Sequence, residues 1–444
     1  MLGRPSMRDD STNFGTATYS LALLTVVGSI NVLDRNIFSI LIQPIKQELH
    51  LSDTQLGFLS GMAFATFYAI GGIPIGAYAD RGSRRRLIVL SLLCFSVMTA
   101  LCGVARSFLQ LALARIGVAI GEAGIYPAAH SIITDAYPRV RRALAMSIFS
   151  LSVNIGLFAG LFGGGLLSQH IGWRGTFAAV CLPGVLAAAL VFFTLREPSR
   201  GQSDGLNASA AEGPPLGAVI GLFWKHRSLR HILIGYVLAV IAGTATSVWL
   251  PALFGRAFAM PVATIGVTLA ITQGLVGGIG TIGGGWLIGR MGDRDPRWTA
   301  RLIALFLALS TPFTVAVLLA PSAPAALGLL VPAALLTATY YGPSIALIHT
   351  LVPPAARARA SAILFFSINL FGWGVGPQLV GWLSDKLTAA HGADSLRYAL
   401  LVGPVAMLWS ACHYLVAAHA LPSAFDTSGA SSLSAGTLSV EREA

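Results

Sequence analysis

Charged residues are scarce in this sequence. Asp, Glu, Lys and Arg together make up 11% of the 444 residues, whereas a soluble domain carries about 25%. So few ions cannot cover the surface of a water-soluble protein of this size, and a soluble fold is therefore excluded.

Cysteine is also rare. The four cysteines, Cys94, Cys102, Cys181 and Cys412, show no CxxC spacing, which argues against a disulfide framework or a zinc site.

Long apolar runs take the place of the missing charge. Hydrophobic residues make up 55% of the chain, its mean hydropathy is +0.73, and runs of 18 or more apolar residues recur from Tyr19 to Ala420. Each run is long enough to cross a bilayer as an α-helix. We therefore predict an all-α, multi-pass membrane protein with twelve spans: 17–46, 53–80, 87–106, 108–136, 143–168, 175–196, 231–255, 263–289, 299–320, 325–352, 360–384 and 398–420.

The cationic residues are distributed unevenly between the predicted loops. A net charge of +11 raises the question of a nucleic-acid partner. With the N-terminus inside, however, 21 of the 29 Lys and Arg residues fall in inner segments, 6 lie at outer ends, and Arg35 and Arg115 lie within spans. This asymmetry obeys the positive-inside rule. It predicts that both termini are cytoplasmic, and it removes the reason to expect a nucleic-acid partner.

The spans fall into two groups of six. The stretch SRGQSDGLNASAAEGPPLG (199–217) is rich in Gly, Ser and Pro and predicts a flexible cytoplasmic linker between the groups. The corresponding stretches NIGLFAGLFGGG in span 5 and NLFGWGVGPQLVG in span 11 indicate a duplication, which is typical of transporters. We predict an N-terminal six-helix bundle (1–197), a cytoplasmic linker (198–225), a C-terminal six-helix bundle (226–421) and a disordered cytoplasmic tail (422–444).

Two patterns resemble enzyme motifs, but their surroundings in the sequence argue against a catalytic role. A G-x-G-x-x-G pattern at Gly278, Gly280 and Gly283 lies inside an apolar span, where small residues let helices pack closely, and not between a strand and a helix. Ser344 and His349 are five helical residues apart, so they lie about 140° apart around the helix and cannot share a proton directly. We expect no catalytic residue, no cofactor and no metal site, and hence no enzyme.

A basic turn that also contains an aspartate follows span 2. The stretch GAYADRGSRRR (76–86) holds Asp80 and a cluster of arginines, and inward anchoring explains the arginines but not the aspartate. The stretch resembles the cytoplasmic motif of the major facilitator superfamily, although Gly82 and Ser83 stand where the family more often has another residue followed by Gly. The resemblance implies two bundles about a central site. It also implies that Asp80 helps to latch the bundles on the cytoplasmic side.

Candidate partners for the latch lie at other inner helix ends. Arg357 and Arg359, at the start of span 11, are the expected partners of the motif aspartate. Asp135, at the inner end of span 4, is expected to meet Arg81 or Arg84. All of these roles follow from the resemblance to the superfamily motif.

Four charged residues lie inside spans 1 and 4. Asp34 and Arg35 are adjacent, and Arg115 and Glu122 lie on one helix face about 10.5 Å apart. The opposite directions of the two spans place all four at one depth, in the middle and outer half of the membrane, where ionisable residues mark functional sites. Two carboxylates balanced by two guanidiniums can take up or release a proton. Asp34 and Arg35 point about 100° apart, which leaves open which of them faces the cavity.

The same charged stretches carry a second resemblance. INVLDRNIFSILIQPIKQELHLSDTQLGFLSG and RIGVAIGEAGIYPAAHS resemble the spinster subfamily, the lysolipid and sphingosine-1-phosphate transporters with their bacterial relatives; organic-anion symporters of the superfamily also carry Asp-Arg in span 1. The resemblance implies that Asp34 and Glu122 couple protons, and that Arg35 and Arg115 bind an anionic headgroup or gate the carboxylates. The composition and short cytoplasmic loop fit a bacterial inner-membrane protein, which we expect to be a monomer.

Spans 7–11 carry no charge near their centres and offer polar and aromatic residues instead. The cavity candidates there are Thr244, Thr246, Gln273, Tyr340, Tyr341, Ser344, Ser367, Asn369 and Trp373. Each of them can alternatively hydrogen-bond between helices. Among them we expect the following to bind substrate: Tyr340, Tyr341, Ser367, Asn369 and Trp373.

A charged N-terminal half and an apolar, aromatic C-terminal half suit a substrate with an ionic head and an apolar tail. We therefore predict a proton-coupled secondary active transporter that moves an amphipathic lipid-like or organic anionic solute across the bilayer by alternating access. The alternatives are an organic-anion (sugar-acid) symporter or a drug exporter of the same superfamily. A non-transporting membrane receptor is the alternative from another class.

Overall fold

The computed structural model describes residues 7–200 and 214–421, apart from the side chains of residues 7–14, 80, 139, 143, 354 and 358. Within these ranges the chain is helical and contains no strand. The predicted disordered tail and residues 201–213 of the predicted linker lie outside the described residues. The chain divides into two compact units, Met1–Ser209 with Ala259–Gly274, and Ala210–Phe258 with Leu275–Ala444.

The helices of the first half are long and follow one another closely. Their bounds are α1 Met7–Leu49, α2 Asp53–Ser60, α3 Met62–Arg81, α4 Arg84–Val104, α5 Phe108–Glu122, α6 Ile125–Ala136 and α7 Arg139–Thr194. Several begin at serine caps, because a serine hydroxyl satisfies a free N–H of the first turn. Ser52, Ser83 and Ser107 accept such bonds at the starts of α2, α4 and α5.

The second half is more often interrupted. Its helices are α8 Leu216–Lys225, α9 Arg227–Phe258, α10 Val262–Leu269, α11 Gly277–Gly292, α12 Pro296–Leu318, α13 Ala323–Thr337, α14 Tyr341–Leu351, α15 Arg357–Ser367, α16 Gly374–His391, α17 Ser395–Ala399 and α18 Val402–Ala420. Two π-helical segments, Ala270–Val276 and Ile368–Trp373, and two 3-10 turns, Pro354–Ala356 and Gly392–Asp394, lie between them. The helix α8 occupies the last ten residues of the predicted linker.

Among the described residues, ten helical stretches are long and apolar enough to cross a membrane, and they cover eleven of the twelve predicted spans. The stretch Val140–Thr194 is 55 residues long and contains two crossings, because the backbone at Gly172 leaves the helical region with φ 68 and ψ 173. The nineteen-residue α18 is also long enough to cross, but His413 and His419 make it less apolar. The twelve-helix, all-α fold is confirmed.

A stripe of glycines holds α7 close against α1. A Cβ added at Gly160 would lie 2.8 Å from the carbonyl oxygen of Leu33, and one at Gly164 would lie 2.9 Å from the Ile40 side chain. A Cβ at Gly156 would collide with the carbonyl oxygen of Ser29. These close approaches fix the part of α1 that carries Asp34 and Arg35.

Two membrane helices are interrupted shortly before a proline. The helix that begins at α5 breaks after Glu122 and resumes as α6, with Pro127 in its first turn. The helix that begins at α13 breaks after Thr337 and resumes as α14, with Pro343 in its first turn. Proline lacks the N–H that would bond the carbonyl four residues earlier, so each break leaves backbone groups free to bind other partners.

Candidate functional site

The four predicted charges meet inside the first unit as two crossed ion pairs. Arg35 Nε lies 2.6 Å from Glu122 Oε2, and Arg115 Nη1 lies 3.5 Å from Asp34 Oδ2. Arg115 and Glu122 share a face of α5, as expected, but each pairs with α1 and not with the other. The chain thus ties α1 to α5 twice at the same level.

The neighbours Asp34 and Arg35 differ in exposure. The Asp34 side chain is 1% exposed and accepts a hydrogen bond from the Thr99 hydroxyl of α4, in addition to its contact with Arg115. The Arg35 side chain keeps 17% of its surface exposed, while its partner Glu122 is fully buried. Asp34 is therefore the member of the adjacent pair whose side chain is enclosed within the helix bundle. Arg35 is the one that retains access to a surface.

Aromatic rings frame both guanidinium groups. Arg35 Cζ lies 4.6 Å from the ring centre of Phe64 and 4.7 Å from that of Tyr68. Arg115 Cζ lies 4.6 Å from the ring of Phe38 and 5.3 Å from that of Phe64. A cation over a ring face is stabilised by about 0.5–2 kcal/mol, most when it is desolvated. The Phe64 ring thus takes part in the cation–π contacts of both arginines.

Neither ion pair uses all of its hydrogen-bonding groups. Arg35 Nη2, Arg115 Nε and Glu122 Oε1 are buried and have no hydrogen-bond partner among the described residues. An arginine and a carboxylate normally prefer a bidentate contact with two parallel bonds. Here each pair is held by a single contact, so donors and an acceptor remain available for an anionic ligand or for a rearranged pairing.

The position of Glu122 at the end of α5 results from the helix break. Ala123 and Gly124 separate α5 from α6, and Gly124 lies so close to α4 that an added Cβ would collide with the Ser91 hydroxyl. Interrupted helices near the middle of the membrane form substrate and ion sites in many transporters. The break therefore places a carboxylate where the backbone is also able to bind polar groups.

The predicted cytoplasmic latch is only partly described. The side chain of Asp80 lies outside the described residues, and Arg81 is exposed. Of the two pairings expected for Asp135, the structure has the one with Arg84. Arg357 is exposed and donates from Nε to the His349 carbonyl, while Arg359 donates to the Pro214 carbonyl.

The buried Arg84 also binds Glu197, which the sequence analysis missed. Arg84 Nε lies 3.1 Å from Glu197 Oε1, and its Nη1 lies 3.0 Å from the Ser131 hydroxyl. Burial raises the pKa of the Glu197 carboxyl, but hydrogen bonds from the Ser83 hydroxyl, the Arg84 backbone and the Arg84 side chain lower it more, so the pKa is below its ordinary value. The position of this acid directly after the last residue of predicted span 6 was the available signal.

The aromatic candidates of the second unit cluster around the α13–α14 break. The ring of Tyr236 on α9 lies 5.7 Å from that of Tyr340 and 5.6 Å from that of Tyr341. Tyr340 is buried, whereas Tyr341 is 45% exposed. The Ser344 and Tyr414 hydroxyls lie 2.6 Å apart. Of the two predicted tyrosines, Tyr341 is thus the more exposed one.

The candidates around the second π-helical segment make mostly local contacts. Ser367 Oγ and Asn369 Nδ2 each donate to the carbonyl four residues earlier, at 2.8 Å, and Trp373 packs against the core of this unit. Thr244 Oγ1 on α9 donates to the Gly372 carbonyl at 2.8 Å, so it links two helices. The structure gives these residues packing contacts, and their binding role stays a prediction.

Sequence reasoning also missed the uncharged frame of the crossed ion pairs. Phe64 and Tyr68 stand four residues apart in a predicted span, a spacing that puts them on one helix face. Thr99 is a lone hydroxyl in an apolar span. These were the available signals, and neither distinguishes a residue of the site from a packing residue.

Known proteins match nearly the whole length of this fold. The profile of the Major Facilitator Superfamily matches residues 24–377, more than half of the chain. The chain belongs to the major facilitator superfamily. The resemblance that residues 76–86 carry is therefore confirmed, and this facilitator is an integral membrane protein with several spans.

Individual relatives narrow the subfamily. An MFS-type efflux pump of Mycolicibacterium smegmatis is 33% identical over 405 residues, which cover 90% of this chain and 92% of the pump. A probable L-galactonate transporter of Escherichia coli is 27% identical over 399 residues, 87% of this chain and 85% of that protein. A crystal structure of a bacterial homologue of the human lysosomal transporter Spinster, inward-facing and unoccupied, has a TM-score of 0.84 at 29% identity and covers 91% of this chain and 97% of its own.

These relatives are transporters and not enzymes. The spinster-like assignment made from spans 1 and 4 is confirmed by the structural neighbour. The facilitator is thus a membrane transporter related to Spinster and to sugar-acid transporters.

Proposed function

We propose that this transporter moves an amphipathic lipid-like or organic anionic solute by alternating access, and that Asp34 and Glu122 couple its cycle to protons. The crossed pairs of the first unit support the proposal. Each carboxylate is buried, each is bound to an arginine by a single contact, and three polar atoms of the group have no partner among the described residues.

Protonation changes what such a group can hold. A neutral Glu122 no longer balances the Arg35 guanidinium, and an uncompensated cation in a buried site is costly. An anionic substrate group at Arg35 restores the balance. Proton uptake and anion binding then favour each other, because each supplies the charge that the other needs.

The substrate class follows from charge and exposure in each unit. In the first unit Arg35 is the partly exposed cation, with a free Nη2 donor for an anionic head. In the second unit the exposed Tyr341 offers an aromatic face without charge. An anionic head suits the Arg35 cation, and the likeness to the Spinster homologue supports a lipid-like amphiphile.

Two relatives favour the alternative substrates. The similarity to a probable L-galactonate transporter supports a sugar-acid symporter, and the similarity to an efflux pump supports a drug exporter. A receptor that binds solute without moving it is the alternative from another class. For all of these, Arg35 and Arg115 remain the proposed contacts of an anionic group.

The remaining assignments are proposals of the same kind. We place the protein, as a monomer, in a bacterial inner membrane with both termini in the cytoplasm. Asp80 with Arg357 or Arg359, and Arg84 with Asp135, form the cytoplasmic latch. The bundles comprise residues 1–197 and 226–421, joined by the linker 198–225.

Transport in proteoliposomes tests the proposal. The full-length protein is reconstituted, an inward proton gradient is imposed, and uptake of a lysophospholipid and of a hexuronate is measured together with the internal pH. Wild type should accumulate the lysophospholipid and carry protons with it. Glu122→Gln should lose the proton-driven part, because its amide cannot take up a proton.

A surface carboxylate supplies the control. Asp394, with 60% of its side chain exposed, is replaced by Asn, which should leave both fluxes unchanged. Identical uptake and proton flux in wild type and Glu122→Gln, for both substrates, would contradict proton coupling. Uptake of the hexuronate alone would replace the lipid by the sugar acid, and binding without any uptake would indicate a receptor.

A further inference from the structure

A buried carboxamide lies one helical turn before Arg35. Asn31 is fully buried in α1, and neither its Nδ2 nor its Oδ1 has a hydrogen-bond partner among the residues that the structure describes. A buried polar group without a partner is destabilising, because it has lost its hydrogen bonds to water. Such groups are rare in folded proteins, and each one calls for an explanation. Packing alone would be better served by leucine.

Helix geometry directs Arg35 toward this carboxamide. The two residues are four apart, so their Cβ atoms lie about 5–6 Å from each other. A long side chain on a helix leans toward the N-terminus and covers the preceding turn, which for Arg35 is the turn of Asn31. Around the helix axis Asn31 lies about 60° from Asp34 and about 40° from Arg35. It therefore stands between the directions of the two ion pairs, on the turn toward which a long side chain at position 35 leans.

Arg35 has an unused donor and few alternative acceptors. Its Nη2 is buried without a partner among the described residues, while its Nε binds Glu122. Asp34 is already held by Thr99 and Arg115. The rings of Phe64 and Tyr68 attract the cation by their faces, but these faces supply no lone pair for a strong hydrogen bond. The Oδ1 atom of Asn31 supplies such a lone pair.

We propose that Asn31 is a positioning residue that accepts a hydrogen bond from Arg35 when Glu122 takes up a proton. The inference rests on the proposed proton coupling and adds to it the residue that receives the released arginine. The proton adds to the Glu122 carboxylate, its contact with Arg35 weakens, and the guanidinium turns toward the preceding turn of α1. The O–H bond formed on the Glu122 carboxyl group is the only covalent change.

The ionisable groups that interact with Glu122 or with the other members of the crossed ion pairs come from five helices. They are Asp34 and Arg35 on α1, Tyr68 on α3, Cys102 on α4, Arg115 on α5 and Tyr126 on α6. Asn31 is neutral, so it offers Arg35 an acceptor without competing for the proton. This neutrality is why a carboxamide suits the position better than a further carboxylate.

Infrared titration of the purified full-length protein in lipid nanodiscs tests the inference without a substrate. The carboxylic acid C=O band of Glu122 is the one that Glu122→Gln removes, and its intensity against pH gives the protonation midpoint. Asn31→Leu keeps the volume and removes the acceptor. Its midpoint should move about one pH unit toward acid, because the protonated state loses a charge-assisted hydrogen bond.

Two further variants separate a positioning role from packing. Asn31→Asp supplies a charged acceptor to Arg35 and repels the Glu122 carboxylate, so its midpoint should move about one unit toward alkali. The matched control is Ser152→Ala. Ser152 is also fully buried, has no partner for its hydroxyl among the described residues, and packs on the Gly28 side of α1. Its midpoint should stay at the wild-type value.

The melting temperature of Asn31→Leu should differ in direction between a positioning role and a packing role. If Asn31 positions Arg35, Asn31→Leu should melt at or above the wild-type temperature, since an unpaired amide has been removed, while its midpoint shifts. A lower melting temperature with an unmoved midpoint would make Asn31 a packing residue and overturn the inference. If Asn31→Leu does not fold, an unmoved midpoint in Asn31→Asp overturns it equally. A wild-type band that does not titrate at all would instead overturn the proposed proton coupling.

Discussion

The two units share one backbone device and fill it with different chemistry. In the first unit the α5–α6 break carries Glu122 at its edge and is followed by Pro127. In the second unit the α13–α14 break is followed by Pro343 and carries Tyr340 and Tyr341 at its edge. The same interruption thus presents a carboxylate in one unit and aromatic hydroxyls in the other.

The polar contacts at the two candidate sites also differ in charge. The ions of the first unit leave three buried polar atoms without partners among the described residues. In the second unit Thr244 with Gly372 and Ser344 with Tyr414 form short neutral hydrogen bonds. A proton rearranges the first kind of contact and leaves the second kind unchanged. We therefore expect the proton-linked change to begin in the first unit.

The largest effect should come from unpairing a buried ion. Arg115→Met leaves Asp34 with the Thr99 hydroxyl as its remaining partner, and removing one member of a buried pair lowers the free energy of unfolding by about 3–5 kcal/mol. Thermal melting of the purified protein at neutral pH measures the loss. The loss should shrink as the pH falls, because a protonated Asp34 no longer needs a cation.

The second unit provides the comparison for that measurement. Tyr414→Phe removes only the bond to Ser344 and should cost about 1 kcal/mol, with no dependence on pH in the acid range. In the first unit, Asp34→Asn combined with Arg115→Met should recover most of the loss. Equal losses in Arg115→Met and Tyr414→Phe would remove the energetic distinction between the units.

A smaller effect should separate the two helix breaks by packing. Gly124→Ala places a Cβ against the Ser91 hydroxyl and 3.1 Å from Leu87 Cδ1, and such overpacking costs about 1–3 kcal/mol. Gly342→Ala, at the other break, meets no described atom within 4 Å and should be neutral or stabilising by up to about 1 kcal/mol. Melting temperatures of the two variants measure the difference, and a larger loss in Gly342→Ala would contradict it.

The smallest effect should appear outside the membrane, at Glu197. Its folded pKa lies below the ordinary value, so the contribution of its carboxylate to stability is present above that ordinary value and is lost as the pH falls through the folded pKa. Wild type should lose stability below about pH 4, and Glu197→Gln should flatten this part of the curve. The loss should be smaller than for Arg115→Met because the side chain is 25% exposed. A variant as acid-sensitive as wild type would exclude Glu197 as the cause.

Sequence patterns predicted the spans and the four membrane charges because both depend on composition and local spacing. The crossing of the pairs was not predictable in the same way. Spacing placed Arg115 and Glu122 on one face of α5, but which residue of α1 meets each of them depends on the rotation of one helix against the other. Single-sequence periodicity carries no information on that rotation.

Local backbone departures were also missed. The π-helical segments Ala270–Val276 and Ile368–Trp373 lie in spans whose composition resembles that of regular helices. The helix α8 has the apolar sequence LGAVIGLFWK, but the Gly- and Pro-rich stretch before it dominated the interpretation of the linker. Ser367 and Asn369 each donate to their own helix, a local contact that the sequence analysis did not specify, and their binding role stays a prediction.

The ring of Phe64 has a consequence for how protons are counted. Because both guanidiniums lie against it, at 4.6 Å for Arg35 and 5.3 Å for Arg115, neither cation moves without altering the surroundings of the other. Groups that interact in this way release protons in steps that belong to the set and not to single residues. We therefore expect Asp34 and Glu122 to titrate as a coupled pair, in steps that belong to the set of four charges.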